Sequence, residues 1–269
     1  MDPFTSLTSS GSRFMLSPVG ETEPSCRAPF GARESPNGQS GKGSCRPVMP
    51  KGRFLKKVSY AFLLLRKGGL GVLLRQFFSR VYSTSTYVWL AKDLDPLKAP
   101  AAARTAFSLQ PASPEAFQRI LERLNKERGQ DVFEILRRVS FYERGFDACY
   151  QALTDSGDVS HIGWLLSSRH NDLIRSQYPP GTDSLREDEV LVENIFTFPR
   201  CRGKGIMLSV LQQLEDLARK QGARRLVAYV DATNTPSLKG FDRAGYKPCG
   251  EEKEKRRFFR IRRTGQSGK

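Results

Sequence analysis

One carboxylate, Glu193, interrupts an otherwise apolar run in which Val190, Leu191, Val192, Ile195, Phe196 and Phe198 are the apolar members. Burial there would raise its pKa toward the range of a general base at neutral pH. The alternative is a carboxylate satisfied by backbone or arginine, or one that holds substrate through water. Just beyond lies RCRGKG, Arg200 to Gly205. Gly203 and Gly205 lack a Cβ, so the chain there can adopt positive φ and approach a ligand closely. If a helix follows, its first amides have no intrahelical acceptor and its dipole adds positive charge. Such a terminus binds phosphate. Arg200, Arg202 and Lys204 add full charges, and a pyrophosphate is the natural guest.

The elements needed to hold these groups are present. The run from Val190 is short, β-branched and bounded by Pro199, which predicts a strand. Ile206, Val210, Leu214 and Leu217 recur at helical spacing, with Gln212, Gln213, Glu215, Asp216, Arg219 and Lys220 on the other face. Gly222 supplies a stop. A second strand, Leu226 to Val230, follows, and then NTPSLKGFDRAGYKP, Asn234 to Pro248.

This strand, glycine loop and helix resemble the GNAT superfamily of acyl-CoA-dependent N-acyltransferases. That family's pyrophosphate signature is matched by Arg200, Gly203 and Gly205. Asn234 matches the Asn of its next helix, and Gly245-Tyr246 the Gly-aromatic pair that ends it. The resemblance covers about residues 104–263. It implies an α/β (α+β) fold: a mixed, mostly antiparallel, splayed central sheet flanked by helices. It implies acetyl-CoA as co-substrate and an N-acetyltransferase activity. Glu193 would be the base. Main-chain amides of Ile195, Phe196, Thr197 and Phe198 would meet the thioester and pantetheine. Amides of Arg202, Gly203, Lys204, Gly205 and Ile206, with the Arg200 side chain, would meet the pyrophosphate. Asn234 would face the cofactor or the splayed strand.

The sequence departs from the family at Phe241, where a tyrosine general acid often stands. Either the thiolate then leaves unassisted or through water, or another group such as Tyr246 is the acid, Tyr246 being otherwise a packing aromatic. The acceptor would be a small amine, an amino sugar of a surface polymer or a protein amine. The competing reading is a non-catalytic acyl-CoA sensor or assembly module, which Phe241 favours and Glu193 opposes.

Composition narrows the rest. The 269 residues carry a net charge of +16, which favours acidic partners, and a hydrophobic fraction of 38%, low for a wholly globular chain. Five cysteines show no metal-ligand spacing and only two histidines occur, so free thiols in the reducing cytoplasm and no metal site are expected. No stretch of roughly 18 apolar residues suggests a membrane span.

In chain order, residues 1–50 are Ser/Gly/Pro-rich and read as disordered, or as preceding a true start at Met49. Residues 51–103 read as a basic helical appendage and linker, the helices occupying 51–82 with Gly68, Gly69 and Gly71 between them. This pair could lie on the inner face of an anionic membrane, pack on the catalytic domain or a partner subunit, or touch nucleic acid, the last least supported. Tyr87 to Leu90 reads as a short strand. Residues 104–263 form the transferase-like domain, with a strand at Thr105 to Leu109 and helices starting at Ser113 and near Val132. A hairpin joins Cys149–Leu153 to His161–Ser167. His161 reads as structural or exposed. A long loop spans Asn171 to Asp188, basic strand material spans Arg256 to Arg263, and residues 264–269 are a tail. Oligomeric state is not legible.

Overall fold

The protein is described by a computed structural model covering residues 52–95, 107, 109–177, 184–258 and 260–266. The expectations for residues 1–50, for most of the 93–103 linker and for the strand at 105–108 fall outside these residues, apart from Phe107.

Two helices, α1 (Gly52–Arg66) and α2 (Leu70–Val81), lead into β1 (Tyr82–Asp93). Then come β2 (Leu109–Pro111), α3 (Pro114–Glu122), α4 (Gly129–Glu143), β3 (Cys149–Leu153), β4 (Val159–Ser167) and α5 (Asn171–Gln177). The organising unit follows as β5 (Glu189–Thr197), α6 (Ile206–Lys220), β6 (Arg225–Asp231) and α7 (Thr235–Arg243). A hairpin of β7 (Lys247–Arg257) and β8 (Arg260–Gln266) ends the described chain. Helix α3 starts as its residues dictate, with the Ser113 hydroxyl accepting from the Ala116 amide and Pro114 at the first position.

The strands form one mixed sheet in the order β2-β3-β4-β5-β6-β1-β7-β8. Only β5 and β6 pair in parallel; every other neighbouring pair is antiparallel. Alternation along each strand sends side chains to two cores. On one face Leu191, Val227, Ile162, Trp164 and Leu166 pack under Phe117 and Ile120 of α3 and Ile135 and Val139 of α4. The other face carries Val190, Val192, Leu226 and Ala228 against Val210, Leu211 and Leu214 of α6 and Phe241 of α7. The buried Trp164 indole donates to the Phe146 carbonyl at 2.8 Å.

The boundary expected near residue 103 does not separate an appendage from the sheet. Strand β1 lies inside it, with Tyr87–Asp93 paired to β6 and Tyr82–Ala91 paired to β7. Local sequence marks Tyr87–Leu90 as extended, but a pairing between residues so distant in sequence leaves no local trace. The helices before β1 also pack inward, burying Leu64 and Val72 in the α4-side core. The expected 171–188 loop begins with α5, and the basic C-terminal material is the β7–β8 hairpin.

Candidate active site

Strands β5 and β6 pair only from Glu189–Arg225 to Val192–Ala228. Beyond that point β5 stays with β4 and β6 with β1. A wedge therefore opens between Glu193–Thr197 on one side and Tyr229–Asp231 on the other. On β5 the wall is bulged. Phe196 pairs with Ile162 and Glu193 with Trp164, so Asn194 and Ile195 together oppose Gly163. Asn194 takes a left-handed φ of 56°. A Cβ on Gly163 would lie 2.8 Å from the Ile195 side chain, so the bulge requires glycine there.

Arg138 of α4 holds the bulge. Its guanidinium donates to the carbonyls of Asn194 (3.1 Å) and Ile195 (3.2 Å) and to Glu134 (2.8 Å). It also sits 4.4 Å from the centroid of the Phe196 ring. Sequence reading passed over Arg138, because a charge on an amphipathic helix reads as solvent-facing. Burial lowers its pKa to about 10, which leaves it cationic at neutral pH.

Glu193 is the first residue past the last β5–β6 pair. It is 2% exposed, and neither carboxyl oxygen has a hydrogen-bond partner among the described residues. Burial pushes its pKa up to about 8, opposed by the Asn194 backbone and by Arg137 and Arg138. Tyr229 is the first residue past the same pair on β6, and its buried hydroxyl likewise lacks a partner. Its ring stacks on Tyr87 at 4.5 Å and meets Trp89 at 4.7 Å. Burial pushes its pKa far up, so the phenol stays protonated and keeps an O–H to donate. Tyr229 too was missed, since LVAYV reads as plain strand core.

The glycine loop lies at the strand-to-helix junction. A short 3-10 turn, Pro199–Cys201, separates β5 from the glycines, and α6 begins at Ile206. Gly203 and Gly205 have φ of 77° and 72°, where an L side chain is strained. Apart from the chain neighbours, no atom of the described residues lies within 4 Å of the position a Cβ would take at either one. The Arg202 amide is taken by Pro199 O at 3.2 Å. From Gly203 to Leu208 no amide finds an acceptor among the described residues, and the first α6 amide to bond back is Ser209, to Gly205 O. Unpaired N–H groups at a helix N-terminus are a cradle that can hold an anion.

Residues 115–246 match the family model described as Acetyltransferase (GNAT) family. The chain carries a GNAT acetyltransferase domain. Solved structures similar to it include a GCN5-related N-acetyltransferase from Sphaerobacter thermophilus, 19% identical over 72% of this chain and 56% of that one, with a TM-score of 0.42. A GNAT acetyltransferase from Colwellia psychrerythraea is 13% identical over 76% and 72%, TM-score 0.41. A phosphinothricin acetyltransferase from Sinorhizobium meliloti, solved with AcCoA, is 20% identical over 53% and 76%, TM-score 0.37. The chain thus spans little more than half the length of the Sphaerobacter protein. No curated protein matches it.

Several residues expected at the GNAT site stand elsewhere. Arg200 turns toward Asp158 (3.7 Å) and a cavity shared with Arg119 and Arg123. Arg202 is tied to Asp131 of α4 at 2.8 Å and to the Thr197 carbonyl at 3.1 Å. The exposed Lys204 remains by the cradle. Asn234 caps α7, its side chain accepting from the Ser237 amide at 2.9 Å, because an Asn before Thr-Pro suits a helix start. Tyr246 is packed edge-on to Phe241 (4.9 Å) in the α6-side core, near the start of β7 and away from the wedge mouth. Its enclosed hydroxyl has a strongly raised pKa through burial and Glu215. Of the four strand residues, Phe196 and Phe198 are buried toward α4, while Ile195 and Thr197 are half-buried. His161 is buried rather than exposed, bonded to the Thr197 hydroxyl at 2.8 Å and held neutral, its pKa lowered to about 3 by burial and Arg138.

Proposed function

We propose that this GNAT domain transfers an acetyl group from acetyl-CoA to a primary amine, with Glu193 as general base. The observation that carries the reading is the run of unpaired amides at Gly203–Leu208, set beside a wedge whose rim holds a buried carboxyl without a partner among the described residues.

In this reading the diphosphate of coenzyme A rests on the amides of Gly203, Lys204, Gly205 and Ile206, with Lys204 adding charge. The pantetheine arm enters the wedge and brings the thioester carbonyl to the bulged strand. Glu193 removes a proton from the ammonium or the attacking amine. The amine nitrogen bonds the carbonyl carbon, the C–S bond breaks, and the thiolate leaves. Thiol pKa values near 8.5 make that departure tolerable without a strong acid. The Tyr229 hydroxyl supplies a hydrogen bond to the developing oxyanion or the thiolate. Phe241 is then no obstacle, because the donor sits on β6.

The acceptor classes remain a small amine, an amino sugar of a surface polymer or a protein amine. The free Cys149, Cys201 and Cys249 fit a reducing, cytoplasmic setting. A non-catalytic acyl-CoA sensor is the second reading, favoured by Phe241 and by the packing of Tyr246 in the α6-side core. Thiol release from acetyl-CoA across a panel of amines distinguishes the two. Acceptor-dependent release supports transfer; coenzyme binding with no release for any acceptor supports the sensor.

A further inference from the structure

Helix α2 is apolar on two sides. Val72 faces the core, whereas Leu70, Leu74, Phe77 and Phe78 form a stripe of large side chains left in solvent, Phe78 being 63% exposed. Exposed Phe62 and Leu65 of α1 extend the set, as does Tyr82 directly after α2. The tip of the β7–β8 hairpin joins them. The Phe258 amide donates to the Val81 carbonyl at 2.7 Å, which brings the 78%-exposed Phe258 to the C-terminal end of α2. Two segments far apart in sequence thus build one apolar edge.

Charge near the tip of this edge is basic, and the acid on the same face of β7, Glu251, lies at the end of the hairpin away from the tip. Residues 51–92 contain no acid. On the hairpin, Lys253, Lys255, Arg257, Arg260 and Arg262 share the exposed face, and none has an acidic partner among the described residues. Glu254 points to the other face, where Arg256 and Arg263 hold it. Lys255 stands directly opposite Arg262, and Arg257 opposite Arg260. Like charges directly opposite on a sheet destabilise it unless an anion lies across them. Arg257 also lies 5.9 Å from the centroid of the Tyr82 ring, so the cation row reaches the aromatic edge.

We propose that the α2 stripe and the β7–β8 tip together form a docking edge for an anionic membrane surface. Phe77, Phe78, Tyr82 and Phe258 enter the boundary between headgroups and acyl chains, and the hairpin cations meet lipid phosphates. No helix among the described residues is long and apolar enough to cross a bilayer, so the contact is peripheral. The inward packing of Leu64 and Val72 and the outward stripe are compatible, since they use opposite sides of the same helices. The edge acts independently of the acceptor chosen at Glu193.

Flotation of the full chain with phosphatidylcholine vesicles, with and without about 30 mol % phosphatidylglycerol, tests the edge. The expected result is binding to the anionic vesicles only, weakened by added salt. Phe78→Ser with Phe258→Ser should abolish it. Arg257→Gln with Arg260→Gln should weaken it by roughly tenfold or more. These positions are exposed, and unchanged circular dichroism checks that each variant is folded. No flotation, equal flotation on neutral vesicles, or variants that float like the parent would overturn the proposal. So would an aromatic-dependent dimer, or retention by single-stranded RNA, in protein that does not float.

Discussion

Glu193 directly follows Val192 on β5 and Tyr229 directly follows Ala228 on β6, and Val192–Ala228 is the last pair that joins the two strands. Each lies two residues past a side chain, Leu191 or Val227, packed in the α4-side core. Strand alternation therefore turns both toward that face, one on each wall of the wedge. A carboxyl and a phenol, both buried and both without hydrogen-bond partners among the described residues, flank the same opening.

The carboxyl gives a pH prediction. With a pKa of about 8, Glu193 is mostly protonated at neutral pH and becomes a base as pH rises. Acetyl transfer should climb through an apparent pKa of about 8. Glu193→Gln should lower kcat/KM by about 10²-fold or more and remove that limb. A pH–rate profile of both proteins is the check.

The same residue couples stability to pH. Its folded pKa lies above its unfolded value of about 4.5, so the folded state retains a proton that the unfolded state releases. Its contribution is fully present below pH 4.5 and is lost as pH rises to about 8. Glu193→Gln should show a smaller loss of melting temperature across that window than the parent. Parallel melts at the two ends of the window measure it.

The two tyrosines separate by position. Tyr229→Phe removes a donor at the wedge and should cut kcat by about 10-fold to 10²-fold with little change in coenzyme affinity. Tyr246→Phe removes a buried hydroxyl without a partner and should leave kcat unchanged, with stability equal or higher. Steady-state kinetics with saturating acetyl-CoA distinguish them.

Arg138→Met should be severe. It frees the Asn194 and Ile195 carbonyls and takes one partner from buried Glu134, a loss on the order of 3 kcal/mol. Adding Glu134→Met should restore much of the stability but not the rate, because the bulge remains unclamped. Denaturant melts and initial rates of the single and double variants test this.

The junction of β5, loop and α6 was legible because hydrophobic periodicity changes from strand to helix across Gly203 and Gly205. Glu193 was legible because a charge in an apolar run is costly to bury. Tyr229 was not, since its role depends on where β5 and β6 part, a property of two distant segments. Asn234 and Tyr246 matched a spacing, but local capping and core packing decide where their side chains go. The place of β1 within the sheet was hidden for the same reason, as its partners lie far along the chain.

Whether the α6 terminus grips a diphosphate can be read by amide spectroscopy of the protein titrated with coenzyme A. The Gly203, Gly205 and Ile206 N–H resonances should shift first and furthest, and Gly205→Ala, strained at a φ of 72°, should weaken the titration. Saturable binding that leaves those three resonances in place, or no binding at all, would contradict it.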